Sequence, residues 1–424
     1  MRLRQLAGSL ALVLVSAAAC GGGHQTAPTR TDPVIHTQKD PQDATVPVSR
    51  RTAVEPKALS ETVKKGLAWL AQHQLENGSW GQGDEANNMR GSQTNAGANV
   101  ADSSMALIAF LRAGNTGRSG EYAAVVDKGL AYVLSEIEES DDSSLFVTKV
   151  RGTRVQTKIG QYADTFAAMM ALTEARGLGK DGVANARIDA ALKKVIKKVE
   201  KNQRENGSWD DNGWAPVLSQ ALAAKGLNRA AQGGLDVSKQ VLTRVEASAK
   251  AGGMSGRGSA GVVLYGAAAD SSTFRDDAAT KRGKAEKMKA AAKKYAPEMQ
   301  SPDVPTKAQI DAAEQEAKMA EDAAVANERA LVARFQDKQF VAGFGNNGGE
   351  EFLSYLLISE TLVQKGGEEW IKWDNAVGTL VGKVQNEDGS WTGHHCITGR
   401  TFCTAAALLV LMGDRTPATA MIAS

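Results

Sequence analysis

The residue types best suited to chemistry gather near the end of the chain, in Gly393-His394-His395-Cys396-Ile397-Thr398-Gly399-Arg400-Thr401-Phe402-Cys403. Imidazoles beside thiols are general bases, nucleophiles and soft-metal ligands. Three readings stand for this stretch. A disulfide between Cys396 and Cys403 is the simplest in an oxidising compartment. A metal site would use His394 or His395 with both thiolates, although the spacing matches no standard zinc site. The histidines can also be plain loop residues. A second set of candidates, Asp102, Asp164, Glu350 and Glu351, opens apolar runs that read as helices. Carboxylates there favour the positive end of the helix dipole, so capping is one reading. Paired acid–base work is the other, and nothing in their spacing demands it.

The elements that must position these groups are marked by a repeat. Gln-x-x-x-Gly-Ser-Trp occurs three times, from Gln74 to Trp80, from Gln203 to Trp209 and from Gln385 to Trp391. Each copy follows an amphipathic run: Val63, Gly66, Leu67, Leu70; Leu192, Val195, Ile196, Val199; and Val377, Leu380, Val381, Val384. Spacings of three and four put each set on one helix face. Asn-Gly or Asp-Gly then tolerates the positive φ that stops a helix. The Gln amide is placed to donate near terminal carbonyls that lack partners, and the Trp ring can cover the helix end. The motif is a stapled corner and needs no substrate to explain it.

Lys65-Gly66-Leu67-Ala68-Trp69-Leu70, followed by Gln74 and Gly78-Ser79-Trp80, resembles the QW motif of the squalene cyclase and protein prenyltransferase superfamily. The other two copies keep Gln, Gly and Trp, and the likeness runs from about residue 57 to the end. It implies an all-α fold, an α/α toroid of inner and outer helices around a central cavity, here with about six helix pairs. The pairs fall near 57–75 with 100–113, 121–137 with 161–176, 186–204 with 214–226, 236–250 with 259–272, a helix ending near 339 with 350–365, and 370–385 with 400–412. In such a ring Asp102, Asp164, Glu350, Glu351, His394, His395, Arg400 and Thr401 would share the cavity mouth. The catalytic signatures of the superfamily are missing. No Asp-x-Asp-Asp occurs, the nearest strings being Ser140-Asp141-Asp142 and Trp209-Asp210-Asp211, and residues 394 and 401 are not the Asp of a prenyltransferase Asp-x-Cys. With only 5% aromatic residues, a cavity that steadies carbocations is disfavoured. No motif calls for a cofactor.

The first residues read as an address. Arg2 and Arg4 precede an apolar run from Leu6 to Val15, and Ala17-Ala18-Ala19-Cys20 ends it, which resembles a lipoprotein cleavage site. Cleavage after residue 19 and lipidation of Cys20 would anchor the protein to a membrane, and Gly21 favours the outer membrane of a Gram-negative cell. Residues 20–56, rich in Gly, Thr, Pro and Gln, read as a disordered tether. The toroid is expected over 57–415 and a tail over 416–424. A net charge of +2 over 424 residues argues against a nucleic-acid partner. From about 275 to 339 a Lys-rich half precedes a Glu-rich half, with a Thr306/Gln309 capping box at the restart. This segment is expected as an inserted helical hairpin, either a solvated spur or a docking arm. The expected function is binding of an apolar, glycan or protein ligand by a lipid-anchored cell-envelope protein. The alternatives are a divergent toroid enzyme, terpenoid cyclase-like or polysaccharide-cleaving, and an assembly lipoprotein working through the hairpin.

Overall fold

The computed structural model describes residues 52–83, 86, 95–210, 212–252, 260–295, 304–342, 344–345 and 348–418. The expected signal segment, Cys20 and most of the tether lie outside the described residues. Among the described residues the chain is all-α, with fourteen α-helices and one two-stranded ribbon. The helices are α1 (Glu61–Gln72), α2 (Val100–Arg112), α3 (Ala123–Glu139), α4 (Arg154–Ile159), α5 (Ala163–Ala175), α6 (Gly182–Lys201) and α7 (Pro216–Gln232). They continue with α8 (Lys239–Gly252), α9 (Ala260–Tyr295), α10 (Lys307–Arg334), α11 (Lys338–Val341), α12 (Gly349–Lys365), α13 (Gly367–Lys383) and α14 (Arg400–Leu411). The ribbon pairs β1 (Trp80–Gly81) with β2 (Ala98–Asn99) in antiparallel register.

Local chemistry sets the helix starts. Ser60, Asn99 and Asp181 cap α1, α2 and α6 through their side chains. Thr153 with Gln156, and Thr306 with Gln309, form capping boxes on α4 and α10. Pro216 opens α7, where its missing N–H costs nothing.

Six helices form the centre. α2 packs on α5, α5 on α7, α7 on α9, α9 on α12, α12 on α14, and α14 on α2, and α7 also touches α12. Around them, α1 lies against α14 and α2, α6 against α5 and α3, α8 against α7 and α9, and α13 against α12 and α14. Every residue of α2 is buried, as is almost every residue of α12 and α14. A helix buried on all sides belongs to a filled core. Small residues permit the close approach: Ser103, Ser104, Ala106 and Ala109 on α2, Ala167, Ala168 and Ala171 on α5, and Ala405, Ala406 and Ala407 on α14.

The tryptophan corners join these layers. Each indole is buried and donates Nε1–H to a last-turn carbonyl, Trp80 to Leu70 at 2.7 Å, Trp209 to Val199 at 2.7 Å and Trp391 to Val381 at 2.9 Å. The glutamine does something the sequence does not show. Its amide donates to the carbonyl of its own turn glycine and also to the next peripheral helix: Gln74 to Val125 at 2.9 Å, Gln203 to Val241 at 3.2 Å and Gln385 to Thr62 at 2.9 Å. The turn glycines Gly78, Gly207 and Gly389 have φ near +90°, as +87°, +85° and +92°.

The charged hairpin departs from its expected bounds. α9 is continuous from residue 260 to residue 295, so its first turns serve as a central helix and its remainder is one arm of the hairpin. No boundary separates them because neither Gly nor Pro interrupts the chain between residues 267 and 282. The second arm, α10, pairs with the first through Arg275 to Glu321 at 2.8 Å and Lys284 to Glu316 at 2.9 Å, and through Lys289 to Glu314. Ala278, Ala320 and Ala324 make a small apolar seam beneath Phe274. The body also begins before the expected residue 57: Thr52 bridges Pro417, and Ala53 and Val54 pack on the core. Among the described residues no helix is long and apolar enough to cross a membrane.

Candidate functional site

The central helices start where the sequence places its acids, and those acids are internal. Asp102, Asp164, Glu350 and Glu351 are all buried, at 0%, 2%, 0% and 4% exposure. The expected open mouth is therefore corrected to a set of buried acids: Asp164, Glu350 and Glu351 accept N–H groups of neighbouring segments, and Asp102 is enclosed among them. Asp164 Oδ1 accepts from Ala101 N at 2.9 Å, at the start of α2, and Oδ2 accepts from Gln156 Nε2 at 2.7 Å. Burial pushes its carboxyl up, while those two donors pull it down. Asp102 lies beside the Asn99 side chain and the Phe402 N–H, but its oxygens make no well-formed hydrogen bond. Burial, with the charge of Asp164 added, pushes it up to about 7.

Glu350 caps a different segment. Its Oε2 accepts from Ile397 N at 3.0 Å, burial raises its carboxyl, and the Cys396 thiol lies beside it. Glu351 accepts from the Tyr355 hydroxyl and from Gly345 N. The loop around Cys396 is the chemically loaded stretch in place. Cys396 is half-buried, has φ +63°, and sits 3.2 Å from His395 Nδ1. Burial and the neighbouring Glu350 push its thiol up to about 12, so it stays protonated at neutral pH. Cys403 is fully buried and donates to Ile397 O at 3.3 Å. The expected disulfide is corrected: the two thiols are not joined, Cys396 lying beside Glu350 and His395 and Cys403 turning its sulfur to Ile397 O. Among the described residues no three metal-ligating side chains gather around one point.

The remaining sequence candidates scatter. His394 is exposed. Arg400 turns to the tryptophan corner, where Nη1 donates to Asp388 Oδ2 at 2.6 Å, and Thr401 is buried in the first turn of α14. The sequence reading missed Arg154, on the short helix α4. It is buried, donates to Ala86 O at 3.1 and 2.6 Å, and brings its charge near Glu350 and Cys396.

The opposite end of the same helices carries a site that the sequence reading did not assign. A cavity of about 430 Å³ is lined by Arg112, Glu174, Arg176, Lys225, Arg229 and Glu360, among others. Its floor is a buried ion network contributed by five central helices. Arg112 of α2 holds Glu174 of α5 in a two-pronged pair, Nε at 3.1 Å and Nη2 at 2.6 Å, and also contacts Glu360 of α12. Lys225 of α7 reaches the other Glu360 oxygen at 2.9 Å and Asp276 of α9 at 2.6 Å. Arg229 adds a 3.4 Å pair with Asp276. Burial alone would raise the Glu360 carboxyl, but Arg112 and Lys225 hold it well below the usual carboxylate range. Taking such charges out of water costs several kcal/mol each unless partners saturate them, and here each acid has a cation on it. One signal was available in the sequence: Lys225 and Glu360 interrupt otherwise small or apolar helical runs.

The C-terminal segment crosses this end. Pro417 lines the cavity, and its carbonyl accepts from Arg229 Nη1 at 2.8 Å and Gln364 Nε2 at 3.2 Å. Thr416 and Pro417 thus belong to the body, where a tail was expected.

No protein-family model matches this sequence, and no curated protein matches it.

Proposed function

We propose that this chain is a lipid-anchored cell-envelope protein with an α/α toroid of the squalene cyclase and prenyltransferase type. It works by binding a small polar ligand at the C-terminal ends of its central helices. The cyclic packing of those helices and the three tryptophan corners support the toroid. The anchoring rests on the sequence around Cys20.

One observation carries the binding reading: a cavity of about 430 Å³ floored by a pre-organised ion network. Ligand pockets commonly span about 300–1,000 Å³ and use a few fixed polar groups for orientation. An isoprenoid within the ring is the weaker choice, because the central helices are buried on all sides. A toroid enzyme working at the other end is weaker too. The thiol there is held protonated, and the carboxylates of Asp164 and Glu350 accept backbone N–H groups.

The test is native mass spectrometry of the full-length protein extracted from membranes. A retained small molecule is expected, together with fatty-acid labelling that disappears in Cys20→Ala. A protein at its bare mass that takes up none of a panel of polar metabolites would sink the binding reading. Labelling that persists in the variant would sink the anchor.

A further inference from the structure

We infer that the cavity takes a small organic anion, held by Arg176 and Arg229; this rests on reading the cavity as a binding site. The argument is a balance of donors and acceptors. The acceptors of the floor already lie against cations: both Glu174 oxygens face Arg112, and the two Glu360 oxygens form ion pairs with Arg112 and Lys225, the latter without completing a hydrogen bond. Asp276 faces Lys225 through one oxygen and Arg229 through the other.

The donors are not used up. Arg176 gives Nε to Asp189 Oδ1 at 2.8 Å and Nη1 to Gly233 O at 2.7 Å. Arg229 gives Nε to Asp276 and Nη1 to Pro417 O. Among the described residues neither Nη2 meets a protein acceptor. Both arginines line the cavity, and each is anchored through Nε and Nη1. A planar fork fixed in this way suits a carboxylate or phosphate oxygen. A cationic ligand would instead have to share oxygens already in ion pairs. Asp189 is the exception, being half-exposed at the rim. Met170 and Pro417 supply an apolar wall for a short hydrocarbon body.

The experiment is calorimetric titration of the intact protein with sodium succinate, sodium benzoate and inorganic phosphate, with spermidine as the cationic control. At least one anion should bind in the millimolar range or better and spermidine should not. Arg176→Gln should weaken the bound anion about tenfold to a hundredfold, the loss of one charge-assisted hydrogen bond. Arg229→Lys, which keeps the buried charge but removes the fork, should weaken it similarly while the protein stays folded. Spermidine binding more tightly than every anion would overturn the inference, as would anion affinity within twofold of wild type in both variants. Soaked crystals separate the two failures. Spermidine or a neutral sugar in the cavity sinks the anion class alone, whereas a cavity that takes up no probe at millimolar concentration sinks the binding reading as well.

Discussion

Gln385 donates its amide to the carbonyl of Thr62 at 2.9 Å across a separation of 323 residues, and so ties the last tryptophan corner to the first helix. The geometry repeats Gln74 on Val125, but this copy joins the two ends of the body. Replacing Gln385 with Leu would leave two carbonyls without their donor. A loss of about 1–3 kcal/mol is expected, measured by urea unfolding followed through tryptophan fluorescence. Gln74→Leu, which breaks the same pair of 2.9 Å bonds without joining the two ends of the body, should cost less. Equal losses in the two variants would show that the seam carries no special weight.

A second prediction concerns the glycines under the indoles. A methyl group on Gly66 would stand 2.8 Å from Leu408 Cδ2 and 2.9 Å from Trp391 Cζ3, and one on Gly129 would stand 2.8 Å from Leu107 Cδ2 and 2.9 Å from Trp80 Cζ3. These contacts are too close for a carbon atom, so the ring or the leucine must move. Gly→Ala in a helix normally gains about 1 kcal/mol, whereas overpacking typically costs about 1–3 kcal/mol. Gly66→Ala and Gly129→Ala should therefore destabilise. Gly266→Ala, with nothing within 4 Å of its added carbon, should stabilise. The same denaturation series checks all three, and a stabilised Gly66→Ala would contradict the packing described.

Glu360 and Asp102 give stability opposite slopes with pH. Glu360 is held low by Arg112 and Lys225. Its contribution is present above the unfolded carboxylate pKa of about 4.3 and is lost as pH falls through the lower folded value. Asp102 is raised to about 7. Its contribution is complete below the unfolded value of about 3.9 and is lost as pH rises through about 7. Thermal unfolding across pH should show Asp102 withdrawing stability between about pH 4 and pH 7, and Asp102→Asn should flatten that range. Glu360→Gln should cost about 1–3 kcal/mol near neutrality, because Arg112 and Lys225 each lose one of their two carboxylate partners while Glu174 and Asp276 remain. It should also remove part of the acid-side loss. A slope between about pH 4 and pH 7 that is the same in wild type and Asp102→Asn would refute the assignment.

The corners were legible because their chemistry is local. Gly, Trp and Gln lie within one turn of each other, and the spacing of Val63, Leu67 and Leu70 marks the buried face without tertiary information. The helix starts were legible for the same reason, as Thr306 with Gln309 shows. The cavity was not, since Arg112, Glu174, Lys225, Asp276 and Glu360 are each one charge on a separate helix. Only the packing of those helices brings them together. The acids misled in the opposite sense. Asp102 and Glu350 look like rim residues in the sequence, but segments distant in the chain, at Phe402 and Ile397, lie against them. The fate of Cys396 was equally hidden, because its partner Glu350 lies on a different helix.

The thiols give the last prediction. Residues 52–418 contain Cys396 and Cys403, and the structure joins neither to the other. Under denaturing, non-reducing conditions a thiol reagent should titrate both. In the native protein both should react slowly, for different reasons. Cys403 is fully buried and hydrogen-bonded to Ile397 O, so its reaction must wait for local opening. Cys396 is half-buried, and its thiol is pushed up to about 12 by burial and by Glu350. At neutral pH almost none of it is the reactive thiolate. Glu350→Gln keeps an acceptor for Ile397 N and removes the negative charge beside the sulfur. Each unit by which the thiol pKa falls raises the thiolate fraction about tenfold. The variant should therefore speed labelling at Cys396 and leave Cys403 unchanged, read by mass spectrometry of the alkylated peptides. Acceleration at both sites would instead mean that the substitution had loosened the start of α14.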